Sequence, residues 1–360
     1  MRNNHNKFAI TLMHDSEFRK VYFFHDVRLT CQANHPAILA LLEKMLAGFP
    51  VPQKIRGEAT LRAFYYKNAT RFPLSLPEDR VRIGKIRLLT GTIVRYYTGS
   101  NHAIEYQHYE ALDPINAPIL SIIDSDHANA SIQLEHPERY EATFLGRYPL
   151  LMALGALLHP FGFEPCHAAA VSAPWDDRQG VLIVGDSGSG KTTLSLGCAS
   201  SGFGFLGDDL VMLHTDPAGA AMQALTIGNE VSVRSPSLDL WQNLAFLRAL
   251  PADRRDKRYC SIEQIRPGAS KLQTTIRLLL FPRLTTGTRS TCIPLSKAAA
   301  LQELIDQCIS RKSMYPQAQQ ALFLHLSTLA EQAPAYRVAI ARGTTDGPQL
   351  IGALLTGGAR

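Results

Sequence analysis

The sequence predicts an α/β chain in two parts, a small α+β domain over residues 1–140 and an α/β domain over residues 141–360. Three observations carry this reading. The apolar run GVLIV (180–184) is followed by GDSGSGKT (185–192) and then by TLSLGCA (193–199), which orders a buried strand, a glycine loop and a helix. The stretch GFGFLGDDLVML (202–213) reads as a tight turn, a short strand, a carboxylate pair and more strand. Upstream, runs rich in β-branched and aromatic residues surround one helical stretch, without any alternation of strands and helices.

The chain has 360 residues, for which two domains are the default. It is 46% hydrophobic and 19% charged, enough to bury a substantial core and unlike a disordered protein. No apolar run approaches the ~18 residues of a membrane span. The start, MRNNHNK, lacks the apolar centre of a secretion signal. The six cysteines (31, 166, 198, 260, 292 and 308) form no Cys-x-x-Cys pair, so reduced thiols in a cytoplasmic protein are expected rather than a disulfide frame or a zinc site. Net charge is +6 with a pI near 9.0, spread along the chain except at RRDKR (254–258). No basic and aromatic module for nucleic acid is present, so neither nucleic acid nor membrane is expected as partner, and the charge suits an enzyme with phosphorylated ligands. Assembly into a homo-oligomer is left open.

Taken in order, residues 7–13 and 20–30 are strands, and Asn34 is expected to cap a helix over 36–48 with Ile38, Leu41, Leu42, Met45 and Leu46 on one face. Strands follow at 59–66, 85–97 (divided at Gly91), 102–109 and 118–124. His102 and His108 share a strand face, where ordinary strand residues outweigh a metal pair. No chemistry is assigned to residues 1–140, and their role is left open, with substrate recognition one option. Residues 149–160 form a helix that is apolar nearly all round, begun by Pro149 and ended by Pro160, and it is expected inside the second domain. EPCHAAAVS (164–172) pairs with the strand that feeds the glycine loop, as a hairpin carrying His167. Beyond the carboxylate pair come a strand at 225–234, a helix at 237–250, a charged loop at 252–259 and a buried strand at 274–281. A helix capped by Ser296 runs to Cys308, another helix spans 316–332, and a last strand covers 336–341. The Gly- and Leu-rich tail is given no role.

The chemistry concentrates in two places. Residues 185–192 match G-x-x-x-x-G-K-[ST], the Walker A phosphate loop (P-loop), in its strand-to-helix context. Backbone N–H groups of Gly185, Asp186, Ser187, Gly188, Ser189 and Gly190, with those opening the helix at Lys191, Thr192 and Thr193, would cradle nucleotide phosphates. Lys191 would reach the β- and γ-phosphates and the Thr192 hydroxyl would sit on Mg²⁺. Asp208 and Asp209 then suit two tasks, one carboxylate holding Mg²⁺ and the other orienting or deprotonating a nucleophile.

The set CHAAAV (166–171), the loop, GFGFLGDDLVML (202–213) and LLLFP (278–282) resembles the HPr kinase/phosphorylase-like kinases, over about residues 145–345. That family shares its phosphate-loop core with ATP-dependent phosphoenolpyruvate carboxykinases, so the resemblance implies a mixed sheet with flanking helices. It also implies ATP and Mg²⁺ as cofactors and a serine-type hydroxyl acceptor on a peptide, protein or small molecule. On that resemblance Asp208 is the base, Asp209 and Thr192 help hold Mg²⁺, His167 lies near the reacting phosphate, and Glu230 is a second metal-side carboxylate. The LEIRG-x-G stretch that HPr kinase/phosphorylase carries after its Asp pair is absent here, so the resemblance stops short of HPr as acceptor and of the reverse phosphorolysis. The alternative reading is a nucleotide-dependent binding or regulatory protein with slow or no phosphotransfer.

Overall fold

The computed structural model describes residues 18–46, 48–66, 78–87, 93–98, 102–107, 119–124, 128–135, 149–215, 221–252, 256–308 and 316–357. The chain is mixed α/β and divides into two compact units, Met1–Phe161 and Gly162–Arg360.

The first unit holds β1 (Phe18–Phe24), β2 (Val27–Ala33), α1 (Pro36–Leu46), β3 (Gly57–Tyr66), β4 (Val81–Arg87), β5 (Ile93–Thr98), β6 (His102–Gln107), β7 (Ile119–Asp124), β8 (Asn129–Glu135) and α2 (Leu151–Leu158). Its strands form one sheet in the order β1-β2-β3-β8-β7-β6-β5-β4, parallel at β2-β3 and β3-β8 and antiparallel elsewhere. Alternation in β2 buries Val27, Leu29, Cys31 and Ala33 on one face. Asn34 does not cap α1: its side chain pairs with the Tyr65 backbone at 2.7 and 2.9 Å, and the His35 ring accepts the Ala37 N–H at 3.2 Å instead. The apolar helix expected in the second domain belongs here, because α2 lays its buried Ala153, Leu154, Leu157 and Leu158 against β3, β7 and β8. The central strand β8 was not foreseen. The strand expected at 7–13, together with His108, lies outside the described residues.

The second unit begins with β9 (Glu164–Cys166), β10 (Ala168–Ala173) and β11 (Asp176–Val184), followed by α3 (Lys191–Ser200). Next come β12 (Gly204–Gly207), β13 (Val211–Thr215), β14 (Met222–Leu225), β15 (Glu230–Arg234), α4 (Ser235–Leu240), β16 (Lys257–Ser261) and α5 (Ile262–Ile265). The long β17 (Gln273–Thr285), β18 (Thr291–Leu295), α6 (Lys297–Cys308), α7 (Pro316–Gln332), β19 (Ala335–Ala341) and α8 (Gly347–Leu355) complete it. The main sheet runs β12-β10-β11-β17-β14-β13-β9, with β19 on β17 and β18 on β19, while β15 and β16 pair as a separate ribbon. It is mixed: β11-β17 and β17-β19 are parallel, and β10-β11 is the antiparallel hairpin read from the sequence.

The glycine loop is placed by packing on both sides of α3. Val181 and Ile183 of β11 share a core with Leu194 and Cys198 of α3, Leu278 and Leu280 of β17, and Ile351 and Leu354 of α8. The opposite side of α3, Leu196 and Ala199, packs with Phe205, Val231 and Val233 in a second core. Each leucine so buried contributes about 1.5–3 kcal/mol. The tail therefore has a structural role, since α8 closes the first of these cores.

Two further expectations are corrected. The helix expected over 237–250 breaks at Trp241, which is extended (φ −118°) and lies against Gly197, where a Cβ would come 2.3 Å from the indole. The charged loop expected over 252–259 becomes strand from Lys257, because Arg258 and Lys257 pair with Val233 and Arg234.

Candidate functional site

The loop between β11 and α3 needs glycine at two points. Gly188 (φ +86°) and Gly190 (φ +103°) lie where a side chain strains the backbone, and Gly190 is the residue that turns the chain into α3. The turn is closed by Ser189 N–H donating to Asp186 O at 3.1 Å and Leu194 N–H to Gly190 O at 2.9 Å. A Cβ on Gly185 would meet Ser189 Oγ at 2.8 Å, so the loop has no room for one. Ser189 Oγ is buried with no hydrogen-bond partner among the described residues. The buried Lys191 curls back over the loop, its ammonium donating to Gly185 O at 2.6 Å and Asp186 O at 3.0 Å. Ser187 is exposed at the loop tip, and Thr193 Oγ1 lies 2.8 Å from Ser237 Oγ on α4.

The two aspartates take different places. Asp208, only 3% exposed, follows β12 directly, and its Oδ2 accepts three hydrogen bonds. These come from Thr192 Oγ1 at 3.4 Å and from Ser232 N–H and Oγ at 3.2 Å each. Asp209, with its side chain 38% exposed, turns to His167, whose Nδ1 lies 2.7 Å from the Asp209 carbonyl and 3.3 Å from its Oδ1. With its proton on Nδ1, the ring donates to that carbonyl and holds the carboxylate beside it. His167 sits at the joint between β9 and β10, so the sheet fixes its position.

Glu230 heads β15, two residues before Ser232 on the same strand. Its charge is still felt nearby: burial, then the Glu230 and Asp208 carboxylates, push the Cys260 thiol up to about 12. Ser232 escaped sequence reasoning. Ser232 supplies two hydrogen bonds to Asp208 Oδ2, and Lys257 Nζ reaches Ser232 Oγ at 3.4 Å from the neighbouring strand. The local signal was a polar Ser232 between two valines. Among the described residues no group of three or more His, Cys, Asp or Glu is placed to hold a metal ion, and no helix is long and apolar enough to cross a membrane.

No family model and no curated protein matches the chain. A solved structure, the HPr(Ser) kinase/phosphatase from Coxiella burnetii, is similar with a TM-score of 0.30 and 12% identity, over 54% of this chain and 89% of that one. A likeness at that level bears on neither fold nor activity.

Proposed function

We propose that this chain binds ATP with Mg²⁺ on the Gly185–Gly190 loop and transfers the terminal phosphoryl group to a hydroxyl acceptor. The observation that carries this is the convergence of Thr192 with Asp208, and of Asp209 with His167, on consecutive residues beside a glycine loop that ends in Lys191 and Thr192. The residues fit the cofactor. The left-handed glycines and the N-terminus of the ten-residue α3 suit phosphate oxygens, and the Ser189 hydroxyl, without a partner among the described residues, has a donor to give. Thr192 and Asp208 offer the hard oxygen ligands that Mg²⁺ prefers in small number.

When bound, Mg²⁺-ATP supplies the transferable group and a cation that offsets its charge. Lys191, whose ammonium rests on Gly185 O and Asp186 O, would hold the phosphates of the bound nucleotide. Asp208, buried and held by Ser232, is suited to the metal side, directly or through water. Asp209 is accessible and oriented by His167, which suits it to take the proton from the acceptor hydroxyl. This exchanges the two roles that the family resemblance assigns. Glu230 stays a candidate for a carboxylate outside the direct metal shell.

The test is transfer of label from γ-labelled ATP, with Mg²⁺, to serine peptides, proteins and small alcohols, comparing the natural chain with Lys191→Ala. ATP consumption that rises with an acceptor, label found on that acceptor, and loss of both in the variant support the reading. Tight ATP binding with slow phosphate release and no labelled acceptor overturns it in favour of a nucleotide-gated binding protein.

A further inference from the structure

Past the end of β11 the second unit opens on a cavity of about 490 Å³, within the range of ligand sites. Its wall includes Asp186, Arg283, Gln302, Glu303, Asp306 and Arg337. β17 outruns β11 past the Ile183–Leu280 pair, so that Arg283 and Asp186 share this wall, while β19 sets Arg337 opposite Phe281. The cavity therefore adjoins the first turn of the glycine loop. Lys191 also marks that end, because its ammonium rests on the carbonyls of Gly185 and Asp186. A lysine at this loop position serves the terminal phosphates, so the cavity lies where an acceptor would approach them.

Two guanidiniums converge on one carboxylate there. An Nη of Arg283 and an Nη of Arg337 lie 3.3 and 2.6 Å from the same Glu303 Oε1. Glu303 is only 13% exposed, whereas the arginine side chains are 64% and 39% exposed. The carboxylate thus lies beneath and fixes the forks, each of which carries further N–H donors. The Arg337 Nε is buried without a partner among the described residues. Paired, pre-oriented guanidiniums match the planar carboxylate fork. Asp186 and Asp306 on the same wall disfavour a dianion such as a phosphate monoester. Asp306 also accepts from the Gln302 amide at 2.9 Å.

We infer that this cavity is the acceptor subsite and that it takes a carboxylate, held by Arg283 and Arg337, with the acceptor hydroxyl turned toward the loop. The inference rests on the kinase reading and narrows its substrate to hydroxyl compounds that carry a carboxylate. The carboxylate belongs to a peptide C-terminus, an acidic side chain or a small hydroxy acid.

The experiment uses the full chain with γ-labelled Mg²⁺-ATP and four sets of probes. These are serine peptides as free acids, the same peptides as C-terminal amides, the amides with an Asp or Glu added, and glycerate against glycerol. Labelling at least tenfold greater in the carboxylate members supports the inference, and the set that labels names the source. Arg283→Gln and Arg337→Gln are each expected to raise KM for those members at least tenfold, with the Kd for ATP held. Labelling indifferent to the carboxylate overturns the inference while the kinase reading stands. A rise in the Kd for ATP in either variant also overturns it, since the arginines would then serve the nucleotide. Label on no probe, with ATP bound, removes the kinase reading and this inference together.

Discussion

Asp208→Asn separates the two aspartates. The substitution keeps the shape of the side chain but removes the charge from an acceptor of three hydrogen bonds, two to Ser232 and one to Thr192. A bond to a charged group is worth about 1.5–3 kcal/mol and a neutral one about 0.5–1.5, so each loses about 1 kcal/mol. The two hydroxyls can rotate to soften the loss and the Ser232 N–H cannot, which leaves a net cost of about 2 kcal/mol. For a unit the size of Gly162–Arg360, that lowers the melting temperature by about 4–8 °C. On the proposed roles the variant also loses the Mg²⁺-dependent part of its ATP affinity. Asp209→Asn, at a more exposed site, is expected to melt within about 0.5 kcal/mol of the natural chain and to bind Mg²⁺-ATP normally. Its transfer rate should fall about 10²–10⁴-fold through loss of the base. The assays are thermal melts, ATP titrations with and without Mg²⁺, and label transfer, run on both variants. If Asp208→Asn melts and binds like the natural chain and only its turnover falls, Asp208 is the base and the reasoning from burial fails.

Two further outcomes are expected. Gly190→Ala places a Cβ 3.1 Å from Leu284 Cδ2 at φ +103°, a strain of about 1–3 kcal/mol, so the loop should shift and ATP affinity fall while far-UV circular dichroism is retained. Stability should also fall as pH rises from about 9 toward 12: burial holds the Cys260 thiol up at about 12 against an ordinary 9.0, so over that window the unfolded chain sheds a proton that the folded chain keeps. Buried Cys198 is shifted in the same direction, and urea melts of Cys260→Ala across that range should show a shallower decline.

The loop and its flanking elements were legible because their constraints are local. Only glycine adopts the φ of Gly188 and Gly190 without strain, and a run such as Val181 to Val184 must be buried wherever it lies. The Asp208 network was not legible. Ser232 and Lys257 come from a ribbon whose pairing is invisible until Val233 finds Arg258, and the charges around Lys257 disguise that strand as a loop. Helix α2 was misplaced for a related reason. An apolar face announces burial but carries no mark of which sheet covers it, and chain adjacency favoured the wrong one. Trp241 broke a helical pattern because its ring lies against the bare flank of Gly197, a tertiary contact that local propensity does not encode.

Helix α3 belongs to two cores at once, and Thr192 in its first turn meets a carboxylate held by the β15 strand. The loop and the ribbon are therefore thermodynamically linked. Whatever steadies one raises the free energy of opening the other by the same amount, whichever is perturbed first. A ligand on the loop should slow hydrogen exchange at the Ser232 and Val233 amides, which it never touches, and a mutation that frays β15 should weaken that ligand by a matching factor.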